Sequence, residues 1–118
     1  MMKKIWILIN CIIGLTFCTQ ALAHAMLKKS TPQNQEVLTS SPKTIDLIFG
    51  HETKLTSLKL SNSKESIPVE IDRNVPATSS FSIPLPALTP DTYKVKWGTL
   101  SSDGHAMTGS FTFTVTGN

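Results

Sequence analysis

Two stretches of strict alternation, Tyr93-Lys94-Val95-Lys96-Trp97 and Phe111-Thr112-Phe113-Thr114-Val115, limit what this chain can fold into more than any other feature. Apolar residues hold the odd positions of both, and charged or hydroxyl residues hold the even ones. Helical side chains repeat every 3.6 residues, so a period of two describes a strand with one face buried and one in water. Two such strands in close succession read as an antiparallel hairpin, with Ser101 to Gly109 reversing the chain. A two-residue turn at Asp103-Gly104 would set Trp97 opposite Ser110 and Phe111 opposite Lys96, apolar against polar. An odd-length loop avoids this. Setting Trp97 opposite Phe111 centres the loop near Gly104 and places Asp103 and His105 on either side of its tip. A carboxylate and an imidazole held close on a loop between rigid strands read most simply as two metal ligands.

The first residues have a different character. Lys3 and Lys4 precede an apolar run from Ile5 to Phe17, and Ala21-Leu22-Ala23 supplies a small-x-small cleavage pattern. This is the pattern of a secretory signal peptide over 1–23, cleaved after Ala23, with the run too short to span a bilayer comfortably. The expected mature domain is 24–118. Both cysteines, Cys11 and Cys18, fall in the leader, so that domain holds its fold without a disulfide. It carries nine basic against eight acidic residues, which leaves no basic stripe of the kind that binds nucleic acid.

Along the mature part the expected strands are Met26 to Lys29; Ile45, Leu47 and Phe49; Leu58 and Leu60; Ile67, Val69 and Ile71; and Phe81 to Leu85, followed by the two alternating segments. Residues 30–42 read as a polar loop, and Gly50-His51-Glu52 as the end of the second strand. Seven short strands with no helical period predict an all-β domain, a seven-stranded immunoglobulin-like β-sandwich. In such a sandwich the start of the first strand, the end of the second and the loop before the seventh share one pole. His24, His51 and His105 lie in those three places, and they are the only histidines of the chain.

That pole suits a metal ion. A free N-terminal His24 offers an α-amine and an imidazole that can chelate together, and His105 and Asp103 add a nitrogen and an oxygen. Nitrogen-rich tetragonal sets favour Cu(II) or Ni(II), with zinc as the competitor. Met26 and Met107 are the only methionines after residue 23, and they make no complete Cu(I) site. Each residue also has an ordinary role open to it. His51 beside Glu52 can be a polar turn residue, Asp103 can bond backbone N–H groups, and Trp97, Phe81, Met26 and Met107 can be packing residues.

His24-Ala25-Met26-Leu27, Ser30-Thr31-Pro32, Ile45-Asp46-Leu47-Ile48-Phe49 and the end from Trp97 to Val115 resemble the CopC family of small periplasmic copper-binding, copper-resistance proteins. The most specific part is a Trp followed by Ser-x-Asp-Gly-His and then Gly-x-Phe-x-Phe-x-Val. The resemblance implies a Greek-key sandwich binding one Cu(II) through the amine and imidazole of His24 together with Asp103 and His105. Some members add an acidic ligand where this chain has His51, so the fourth contributor is His51, Glu52, water or none. The Met-rich Cu(I) site of certain members has no counterpart in Ser61 to Pro68. The resemblance also implies a CopD-like inner-membrane copper transporter as partner and a periplasmic, non-enzymatic carrier or buffer role. A histidine-brace copper mono-oxygenase and a metal-free sandwich interaction module are the competing readings. No other catalytic set fits the sequence.

Overall fold

An 18-residue strand, Thr44–Ser61, runs through the middle of the fold and hydrogen-bonds to four other strands. The computed structural model describes residues 27–117. In chain order the strands are β1 (Leu27–Thr31), β2 (Glu36–Leu38), β3 (Thr44–Ser61), β4 (Ser66–Ile67), β5 (Thr78–Pro84), β6 (Asp91–Ser101) and β7 (Ala106–Val115), with no helix among the described residues. The first half of β3 pairs with β1 and β5, antiparallel to both. Its second half pairs antiparallel with β6 and β4, and the sheet continues through β7 to β2. One strand thereby joins both layers of a β-sandwich, as strands do at a corner where they pass from one sheet to the other.

The sequence shows how β3 manages both. Ile45, Leu47, Phe49, Thr53 and Leu55 are buried at odd positions, whereas Leu58 and Leu60 are buried at even ones. The change of parity falls at a break in register between Leu55 and Ser57. Thr56 and Ser57 together oppose Gly98 of β6, a β-bulge that inserts one residue and returns the strand's apolar side to the core. The core then closes between layers. Phe49 meets Trp97 edge-to-face at a centroid distance of 5.3 Å and Phe81 at 5.8 Å, while Tyr93 stacks on Phe113 at 5.5 Å.

Several expectations are corrected. The strands expected around Phe49 and Leu60 are parts of β3, and Gly50-His51-Glu52 lies within it instead of ending it. The seventh strand comes from 30–42, where Glu36–Leu38 pairs parallel with Phe113 to Val115. Gln35 enables this by taking φ +66° and donating its N–H to the Thr112 carbonyl. The strand expected through Ile71 stops at Ile67, because Pro68 has no N–H to continue a ladder; Val69 and Ile71 still pack on the core. In the hairpin, Trp97 faces Gly109 and Val95 faces Phe111. The odd-length loop stands, but it is shifted by two from the expected pairing. A Cβ at residue 109 would overlap the Trp97 ring, so the indole takes the space that glycine leaves open. Of the two methionines, Met107 is half-buried against the core, and Met26 lies outside the described residues.

Candidate metal centre

The loop between β6 and β7 is built by three residues, Ser102, Asp103 and Gly104. The Gly104 N–H donates to the Ser101 carbonyl at 3.0 Å, and the Ser101 N–H donates to the His105 carbonyl at 2.9 Å. This is a turn followed by one left-handed residue, the usual form of a three-residue hairpin loop. Gly104 holds that position at φ +89°, where a side chain would be strained.

The turn folds the loop's polar groups onto Asp103. Oδ1 accepts from the Ser101 hydroxyl and, at 3.3 Å, from the His105 backbone N–H. Oδ2 lies 2.8 Å from Nδ1 of His105. These bonds, Ser101's first, hold the Asp103 carboxyl down to about 2, so it is an anion across the ordinary pH range. An ionised carboxylate can only accept, so the Nδ1 facing it carries the proton and Nε2 keeps the free lone pair. Carboxylate–imidazole pairs of this kind orient histidines that ligate metals. Both side chains are open to solvent, 63% exposed for Asp103 and 80% for His105, so an incoming ion needs no rearrangement of the core.

Register places the neighbours of this pair. Leu27 pairs with Phe49, and Thr53 pairs with Ser101, so the first described residue, His51 and the Asp103–His105 loop lie at one end of the sandwich. Asp103 and His105 are brought into contact. His51 stays exposed on β3, and among the described residues no three His, Cys, Asp or Glu side chains converge on a metal position. His24 lies outside the described residues. Ser101 is a site residue that sequence reasoning quoted as part of a motif without giving it a role. Its signal was the Ser-x-Asp spacing, which lets a hydroxyl at the start of a turn reach the carboxylate inside it.

A β-sandwich with a carboxylate–imidazole loop at one pole defines a class of small binding domain, and the comparisons give the family. Residues 27–116 match the model of the CopC domain, and the chain belongs to the CopC family. Copper resistance protein C of Escherichia coli is 33% identical over 115 residues, covering 88% of this chain and 89% of that protein. Among solved structures, CopC from Methylosinus trichosporium OB3b matches with a TM-score of 0.65 at 27% identity, over 80% of this chain and 96% of that one. PcoC, a methionine-rich copper resistance protein from Escherichia coli, matches with a TM-score of 0.61 at 32% identity, over 75% and 95%.

Proposed function

We propose that this protein binds one Cu(II) ion and serves as a periplasmic copper carrier or buffer in copper homeostasis or resistance. The observation that carries this reading is the exposed Asp103–His105 pair at the pole where the described chain begins. His24 stands three residues before Leu27, so covalent geometry keeps its Cα within about 11 Å of that residue. Cleavage after Ala23 makes it N-terminal and frees its amine. The proposed ligand set is the His24 amine and imidazole, the His105 imidazole and the Asp103 carboxylate, whose contact with Nδ1 gives way to the ion, with His51 as a further contributor from β3. Three or four nitrogens with one oxygen suit Cu(II) above other divalent ions of the first row. The names of the relatives support copper as the cargo. Membership of the family supports a CopD-like membrane transporter as recipient, and a role in binding without catalysis.

The experiment compares two forms of the domain, one starting at a free His24 and one with a single alanine before it. Each is titrated with Cu(II) and followed by electron paramagnetic resonance. The first is expected to bind one ion in a nitrogen-rich tetragonal site and the second much more weakly. Equal binding by both, or binding by neither, removes the N-terminal chelate from the reading.

A further inference from the structure

The outward face of the β3–β6–β7 sheet, away from the loop, carries a second feature. Lys59 and Lys96 are direct partners across β3 and β6, and both are exposed. Lys94 lies two residues along β6, and Lys54 stands opposite Leu100 in the row nearest the loop. Like charges set directly opposite one another on a sheet repel, and nothing in the fold requires this arrangement. No carboxylate offsets it by contact, since the one ion pair among the described residues is Asp103–His105. The even positions of β6 and β7, and the outward positions of β3 from 54 to 61, contain no acidic residue. Glu52 lies beyond Lys54, at the pole. Glu70 lines a cleft beside Lys59, and Arg73 lines the same cleft.

The rest of the face has a consistent chemistry. β7 presents only Ala106 and the hydroxyl residues Thr108, Ser110, Thr112 and Thr114 at these positions. Gly98 adds no side chain between Ser57 and Thr108, which leaves an open groove of about 380 Å³ beside Lys59 and Lys96. Two exposed apolar residues stand at opposite ends, Leu100 at 42% and Val37, the partner of Thr114, at 62%. There is no exposed aromatic residue on it. Interfaces between proteins are depleted in lysine and depend on buried aromatic or arginine anchors, so this face is a poor match to another protein. An anionic headgroup layer asks for neither anchors nor shape. It rewards several lysines held in one plane, hydroxyls that bond phosphate oxygens, and a few apolar side chains at the rim.

We propose that this lysine-bearing face docks the protein reversibly on anionic phospholipid surfaces, with the Asp103–His105 loop left at the edge of the contact. The full domain is tested by co-sedimentation with phosphatidylglycerol-rich vesicles and with pure phosphatidylcholine vesicles, at low and at physiological salt. Binding is expected to the anionic vesicles only, and to weaken as salt shortens the range of the field. Each lysine removed from the face weakens partition roughly five-fold. The variant Lys59→Glu with Lys96→Glu is therefore expected to lose sedimentation while keeping its Cu(II) titration and thermal melting. Lys29→Glu with Lys43→Glu makes the same change in net charge away from this face and is expected to keep most of the binding. Equal loss in the two variants would mean that net charge is responsible, and would overturn the proposal. So would equal binding to both lipids, or no vesicle binding by a domain that instead holds a polyglutamate peptide on these lysines, which would mark an acidic protein as the partner.

Discussion

At the scale of single residues, the loop's chemistry is set by Ser101. Its hydroxyl is the largest influence keeping the Asp103 carboxyl low, ahead of the His105 backbone and ring. The unfolded value for aspartate is about 3.9. Because the folded value lies beneath it, ionised Asp103 favours the closed loop at all pH above that range, and the preference is lost as pH falls toward about 2. Ser101→Ala is expected to raise the Asp103 midpoint toward 3.9, read from its carboxyl carbon by NMR titration. An unmoved midpoint would show that the serine has no hold on the carboxylate. Loss of copper from the proposed site in weak acid is then not expected to come from Asp103, which remains ionised there. The closeness of Asp103 and His105 was legible from their types and spacing alone. The hydroxyl was not, because a serine in a turn is so common that only the folded loop shows which group it meets.

Among the elements, β3 was the least legible. Its apolar residues change from odd to even positions, and on the page this looks like one strand ending and another beginning. The bulge at Thr56 and Ser57 makes both patterns parts of one strand. Deleting Thr56 would leave Leu58 and Leu60 on the outward face, or force the pairing with β6 to slip. At about 1.5–3 kcal/mol for each exposed leucine, the deletion is expected to cost roughly 3–6 kcal/mol in urea denaturation. Gly98→Ala is expected to cost less, since the Ser57 side chain beside it can turn away. A deletion no more harmful than the alanine would mean that the bulge does not set the parity. β2 escaped notice for a different reason. Three residues carry no readable period, and their pairing with β7 depends on Gln35 and Asn34, whose amide oxygen accepts the Thr112 N–H.

For the whole molecule, the all-β class was fully legible, because alternation and turn residues agree over most of the chain. What the sequence could not show was how the layers meet. Phe49, on the first half of β3, is 2% exposed and packs against Phe81 of β5 and Trp97 of β6, so it spans both layers. Phe49→Ala is expected to cost about 3–5 kcal/mol, measured by thermal or denaturant unfolding. A cost near that of a surface change would indicate that the layers close without it. The long strand has a further consequence for cooperativity. β1, β4, β5 and β6 all take their backbone partners from β3, and β7 and β2 are attached through β6. Neither layer can part from the other as a separately folded unit while β3 stays whole. Amide protons in both are expected to exchange through the same global opening, with faster local release confined to the strand ends and the loop at the pole. In a domain that opens as one unit, the strands that carry the polar loop stay paired whenever the fold is present, and only the loop itself moves locally.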